Sequence, residues 1–169
     1  VRPFFRKADN QTLGEYEFHG VGGPLTVSDQ PATSELTEAL IDAAEQAGIP
    51  RNPDFNGARQ EGAGYYQTTT SNRRRWSTAK AYLEPAKGRP NLTIRTLCQA
   101  TRVLIEEGRA TGVEYRSPRG IETARAQREV IVSGGAYGSP QLLMLSGLGP
   151  AAHLQEMGIA VQRDMPGVG

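Results

Sequence analysis

The run Ser133-Gly134-Gly135-Ala136-Tyr137-Gly138-Ser139-Pro140, continued by Gln141-Leu142-Leu143-Met144-Leu145-Ser146-Gly147-Leu148-Gly149-Pro150, constrains this chain more than any other stretch. It directly follows the apolar triplet Val130-Ile131-Val132. The pattern predicts a buried strand over 130–132, a glycine turn, and a helix over Pro140–Leu145. Ser139 suits the N-cap of that helix and Pro140 its first position. Glycine has no Cβ, so a flat or anionic ligand can lie directly against the backbone. A helix that starts after such a turn presents unpaired N–H groups and the positive end of its dipole. Taken alone, the pattern serves an ordinary strand–turn–helix packing corner equally well.

Composition narrows the partners. The 19 Lys and Arg against 18 Asp and Glu leave a net charge of +1, which gives no electrostatic case for nucleic acid or an anionic membrane. No apolar run approaches the roughly 20 residues that span a bilayer. An apolar fraction of 37%, with 20 Gly and 11 Pro, describes a loop-rich globular chain. The opening Val1-Arg2-Pro3-Phe4-Phe5-Arg6-Lys7 has neither an initiator Met nor the apolar centre of a signal peptide, so an internal piece of a longer protein is expected. The single Cys98 excludes an internal disulfide or a cysteine metal cluster and is compatible with a reducing cytoplasm. Two histidines supply too few ligands for a zinc site, so no metal is expected.

Local signals place the elements. Residues 1–34 read as irregular and glycine-rich, with a short strand around Leu25–Val27. Ser34 caps a helix over about Glu35–Ala47. Its apolar residues Leu36, Ala39, Leu40, Ala43, Ala44 and Ala47 share one face, which predicts that Leu36 and Leu40 lie in the core. Gly48 fits the position just past the helix end, before Pro50. Tyr65–Thr70 reads as a strand, Ser77–Leu83 as a short helix ended by Pro85, and Leu92–Arg95 as a strand. Arg102–Ile105 and Gly112–Tyr115 flank Glu106-Glu107-Gly108-Arg109 and read as a hairpin. Ser117-Pro118-Arg119-Gly120 is a type I turn, after which Glu122–Arg128 returns. A short helix over Pro150–Met157 and a strand around Ile159–Val161 follow.

Several residues invite functional readings that local pattern does not support. His19 sits in a glycine loop and His153 on a short helix; neither has an orienting partner at a suitable spacing for a general base, so both read as structural or solvent-exposed. Arg73-Arg74-Arg75 could hold a phosphate, but beside a balanced charge it reads as a solvated turn with one member salt-bridged. Tyr65 and Tyr66 could line a channel; on a strand, one packs inward and the other outward. Cys98 reads as a buried strand residue.

The Ser133–Pro150 run closely resembles the second signature of the glucose-methanol-choline (GMC) family of FAD-dependent alcohol oxidoreductases. Phe18-His19-Gly20-x-Gly22-Gly23-Pro24-Leu25, Gly62-x-Gly64-Tyr65-Tyr66-Gln67, Arg75-x-Ser77-x-Ala79-x-Ala81-Tyr82-Leu83 and Pro90-Asn91-Leu92-Thr93-Ile94 are similar to further blocks of choline-dehydrogenase-like members, in the family's order. The resemblance implies a mixed α/β (α+β) fold. It comprises a partial FAD/NAD(P)-binding-type domain with a β-hairpin over 73–169 and a piece of the substrate-binding domain over 1–72. It implies that the backbone of Ala100, in Thr96-Leu97-Cys98-Gln99-Ala100-Thr101, meets the adenine edge of FAD. Gly134, Gly135 and Ala136 would lie near its adenosine and diphosphate. Family members often carry Ser-Ala-Gly-Ala where this chain has Ser133-Gly134-Gly135-Ala136.

The resemblance further implies that the parent oxidises a small primary alcohol to an aldehyde, a histidine base taking the hydroxyl proton and the flavin the hydride. Two departures limit this chain. The family's N-terminal Gly-x-Gly-x-x-Gly fingerprint and its C-terminal catalytic histidine fall outside the sequence. The isolated chain is therefore expected to be inactive, with no catalytic residue of its own, and not to retain FAD. The alternative is a non-catalytic folded module or split-protein subunit that self-associates through uncovered apolar faces.

Overall fold

A break in the packing between Thr93 and Ile94 separates two units, Val1–Thr93 and Ile94–Gly169. The structure, a computed structural model, describes all 169 residues. Residues 73–93, grouped by the sequence with the second half, pack within the first unit.

The first unit opens with a helix that the sequence did not reveal. Residues Arg2–Ala8 form α1, with Pro3 in its first turn, where a missing N–H costs no hydrogen bond. Strand β1 (Asp9–Gln11) follows and pairs in parallel with β2 (Leu25–Val27), Asp9 opposite Leu25 and Gln11 opposite Val27. Helix α2 spans Glu35–Gln46, and the Ser34 hydroxyl accepts the Thr37 N–H at 3.1 Å. Gly48 takes φ 89° just beyond it, the left-handed turn that glycine allows without strain. Arg51 then folds back onto the Glu38, Asp42 and Glu45 carboxylates of α2.

The apolar face of α2 is not core. Leu36 and Leu40 are 73% and 64% exposed, and only Ile41 is buried. Amphipathic spacing states which face a helix can bury, and no other element packs closely on that face here.

The strand expected over Tyr65–Thr70 shrinks to β3 (Thr70–Ser71), which pairs with β4 (Arg74–Arg75) around Asn72 and Arg73 at φ 50° and 59°. Thr68 contributes a lone antiparallel bridge to Ser28. The helix predicted over Ser77–Leu83 is a π-type turn over Ala79–Leu83 that runs into α3 (Glu84–Ala86). Pro85 lies inside that first turn instead of ending the helix.

A buried polar cluster links three parts of this unit. His19, 6% exposed, places Nδ1 at 2.8 Å from Asp9 Oδ2 and Nε2 at 3.2 Å from both Asp54 carboxylate oxygens. Backbone crowds around it: a Cβ on Gly20 would lie 2.0 Å from the Arg6 carbonyl oxygen, and one on Gly23 2.4 Å from that of Asp9.

The second unit is built on a three-stranded antiparallel meander, β5 (Gln99–Glu106), β6 (Arg109–Ser117) and β7 (Gly120–Arg125), in that spatial order. Glu107 and Gly108 at φ 51° and 77° make the first turn, the paired left-handed conformation that matches strand twist. Helix α4 (Gly135–Leu145), β8 (Leu148–Gly149), α5 (Ala151–Glu156) and β9 (Arg163–Asp164) complete it, with β8 and β9 parallel. Leu154 is completely buried, and Val103 and Tyr115 are nearly so.

Two predicted strands fail for one reason. Residues 92–95 and 130–132 have no strand paired beside them, and Ile131 is 79% exposed. β-branched composition favours a strand, but pairing makes one. The strand expected at Ile159–Val161 is displaced to β9, because the Ile159 N–H closes the end of α5 on the Leu154 carbonyl at 2.8 Å. Cys98 is half-buried and precedes β5, with its thiol near the Thr96 carbonyl.

Leu154→Ala is expected to destabilise the second unit by about 2–5 kcal/mol, whereas Leu36→Ala changes stability by less than about 0.5 kcal/mol. Urea unfolding, followed through β5–β7 amides for Leu154→Ala and through α2 amides for Leu36→Ala, checks each outcome in the unit it concerns.

Candidate cofactor-binding site

Helix α4 begins five residues before the expected start. Gly134 is its N-cap at φ −80°, and Gly135 turns the chain at φ 82°. Ser139 is therefore not the cap: it lies inside the helix, and its hydroxyl reaches back to accept the Gly134 N–H at 2.9 Å. Pro140 is also inside the helix rather than first in it. Its missing N–H leaves the Ala136 carbonyl without its helical donor.

A Cβ on Gly134 would lie 3.1 Å from the Gly138 carbonyl carbon and the Ser139 nitrogen, so glycine here serves the tight turn. A Cβ on Gly135 would meet nothing within 4 Å, leaving open space on its outer side. Gly134, Gly135 and Ala136 are all exposed. The N–H groups of Gly135, Ala136 and Tyr137 have no partner beyond the helix, and the first amides of a helix have none within it. The turn thus offers several free donors beside a glycine with no side chain.

Ala100 lies near the start of β5, opposite Tyr115, and is exposed. Strand β5 is an edge of the meander, so one side of its backbone faces away from β6. A register shift between Ala100 and Arg102 breaks the regular ladder beside it.

Ser146, just past the end of α4, fastens that helix to β5. Its hydroxyl accepts the Val103 N–H at 2.7 Å and donates to the Leu142 carbonyl at 2.6 Å. A groove of about 320 Å³ runs along this junction, lined in part by Leu104, Leu145, Gly147, Ile159 and Gln162. The structure therefore brings the strand of Ala100 and the helix of Gly134–Ala136 into one unit. No hydrogen bond joins Ala100 to the glycine turn; the link runs through Ser146 and Val103. Nothing in the sequence singles out Ser146, because a Ser in a Leu-Ser-Gly stretch carries no sign of a partner 43 residues away.

These groups fit a nucleotide cofactor. Exposed N–H donors suit a phosphate or a ring-nitrogen acceptor, and glycine permits close approach. The other candidates behave differently. Both ring nitrogens of His19 are engaged by carboxylates, so it is not a free base. His153 is exposed on α5. Arg73, Arg74 and Arg75 are exposed at the β3–β4 turn, and none forms the expected ion pair. Tyr65 points inward with a buried hydroxyl, and Tyr66 lies outside, stacked on Phe55 at 4.4 Å.

A GMC oxidoreductase family model matches residues 1–169, the whole chain. The chain belongs to the GMC oxidoreductase family. It is 50% identical over 169 residues to an oxygen-dependent choline dehydrogenase of Sinorhizobium medicae (strain WSM419), spanning all of this chain and 31% of that relative. Among solved structures, pyridoxine 4-oxidase from Mesorbium loti superimposes with a TM-score of 0.85 at 33% identity, covering 98% of this chain and 33% of that one. An FAD-dependent oxidoreductase from Chaetomium thermophilum gives a TM-score of 0.85 at 26% identity, covering 99% of this chain and 32% of that one. The mixed helix-and-strand fold is thus that of a partial GMC oxidoreductase. The chain spans about a third of the length of these GMC relatives. No helix is long and apolar enough to cross a membrane.

Ser146→Ala leaves the buried Val103 N–H without an acceptor and is expected to cost about 1–3 kcal/mol. Ser139→Ala, at an exposed hydrogen bond, is expected to stay within about 0.5 kcal/mol. Chemical denaturation of both variants, with the Val103 amide exchange rate as the local readout, checks the difference.

Proposed function

We propose that this chain forms the adenosine side of the FAD site in an alcohol oxidoreductase of choline-dehydrogenase type, located in the cytoplasm. The parent oxidises the CH–OH group of a small primary alcohol to an aldehyde. The observation that carries this reading is the exposed start of α4, where free amides follow the Gly134-Gly135 turn. Gly134, Gly135 and Ala136 lie along the adenosine and diphosphate, and the backbone of Ala100 meets the adenine edge. The names of the relatives support the cofactor and the substrate class. In this reading residues 1–72 belong to the substrate-binding domain and 73–169 to the FAD-binding domain.

When bound, the flavin supplies the hydride acceptor. The residues of this chain orient its adenylate end and do not move the substrate proton. His19 is held by two carboxylates, and His153 lies on an exposed helix face. Isolated, the chain therefore has no dehydrogenase activity and does not retain FAD.

A second reading, a self-associating non-catalytic module, draws support from the exposed Leu36, Leu40 and Ile131. One experiment separates the two. The chain is purified alone and also co-expressed with the flanking regions found in its longer relatives. We expect the isolated chain to elute colourless from gel filtration, and the combined protein to be yellow and to reduce a dye with choline or another primary alcohol. A colourless, inactive combined protein, with an isolated chain whose light scattering grows with concentration, would overturn the enzyme reading. Flavin retained by the isolated chain would contradict the expected loss.

A further inference from the structure

The His19 cluster is absorbed by nothing in the cofactor site. Its three members come from separate segments: Asp9 from β1, His19 from the glycine loop, and Asp54 from the loop that follows Pro53. We propose that His19 is a proton-operated latch: protonated, it ties the Asp54 loop to β1, and on losing its proton it keeps Asp9 and releases Asp54.

A protonated imidazole donates from both nitrogens; a neutral one donates from only one. The two carboxylates differ in what else they have. Asp54 also accepts from the Tyr16 hydroxyl, and its Oδ1 accepts the Asn56 N–H at 3.0 Å. The Asp9 carboxylate has His19 alone: its Oδ1 is buried with no partner, and its side chain is only 12% exposed. Withdrawing the Asp9 donor would strand a buried charge, a larger penalty than loosening Asp54. The neutral tautomer is therefore Nδ1–H, and its Nε2 lone pair then faces the Asp54 carboxylate and repels it. Asp54 carries its loop with it. That loop includes Phe55, stacked on Tyr66, and Asn56, which with His19 and Asp9 borders a cavity of about 470 Å³.

The surrounding charges do not substitute for the proton. From α1, Arg6 pairs with Glu15, and Arg2 pairs with Glu17 while lying 5.0 Å over the Phe18 ring. The glycine loop adds Tyr16, whose ring lies 5.0 Å from that of His19. Strand β2 presents only Leu25, Thr26 and Val27.

The titration direction agrees with this geometry. Burial alone would lower the His19 value, but its bonds to Asp9 and Asp54 outweigh burial and hold it above the ordinary 6.5. For Asp54, burial would raise the carboxyl; the Tyr16, His19 and Asn56 donors outweigh it and hold the carboxyl below its ordinary 3.8. Burial, then the bond to Asp54, push Tyr16 up to about 12, so its hydroxyl stays a donor throughout. The raised histidine contributes fully below pH 6.5, and that contribution fades as pH climbs through the folded-state value. The lowered carboxyl contributes above pH 3.8 and fails only as pH falls through its own folded-state value. The latch is closed between these limits and opens on the alkaline side.

The test is a nitrogen-15 NMR titration of the 169-residue chain from about pH 5 to about pH 9. We expect neutral His19 to be the Nδ1–H tautomer. At the same midpoint, the Asn56 amide loses about tenfold in exchange protection after correction for the intrinsic rate. A neutral Nε2–H tautomer, or an Asn56 amide indifferent to that midpoint, would overturn the latch. Asp54→Asn should lower the His19 midpoint and abolish the Asn56 step; a surviving step argues against it. Tyr16→Phe removes Asp54's other side-chain donor and should shift the neutral ring toward Nε2–H. An unchanged tautomer balance in that variant contradicts the account of why Asp54 is the carboxylate released.

Discussion

A single hydroxyl, that of Ser146, joins the two elements on which the cofactor reading depends. It satisfies an N–H on the outer edge of β5 and a carbonyl in the last turn of α4. Without it the buried Val103 N–H would have no acceptor, while the Leu142 carbonyl would keep only the Ser146 N–H at 3.1 Å. With this bond made, the far end of α4 is free to present its amides, because the helix is anchored at its C-terminal end. The Gly134–Ser139 bond then shapes the turn at that free end. The candidate site is thus a consequence of how α4 is held, more than of any side chain within it.

What was legible in the sequence was local. Ser34, Gly48 and the Glu107-Gly108 turn act through their own backbone geometry, and the structure shows each of them at work. The family signature was legible because it spans many contiguous residues. Composition favours strands over 92–95 and 130–132, but it does not say whether a neighbour exists to pair with them. Leu36 and Leu40 repeat the same lesson on a helix: their spacing defines a face, and burial requires a second surface. At the start of α4, Ser139-Pro140 has the look of a cap, while the real turn is made five residues earlier by Gly134 and Gly135.

The His19 cluster was out of reach for a different reason. Its partners lie 10 and 35 residues away, and no spacing rule links a histidine in a glycine loop to aspartates at those distances. Only the fold brings them together, in a region so crowded that Gly20 and Gly23 have no room for a side chain. A histidine held in this way contributes to the architecture of the first unit.

The central claim is that backbone, not side chains, receives the adenylate end of FAD at Ala100 and along Gly134–Ala136. The most direct measurement is a structure of the flavin-loaded protein that carries this chain together with its flanking regions. The account predicts the adenine edge at hydrogen-bonding distance from the Ala100 backbone, with the adenosine and diphosphate lying along Gly134, Gly135 and Ala136. An adenosine bound elsewhere, with those amides turned to solvent or taken up by other parts of the protein, would contradict it.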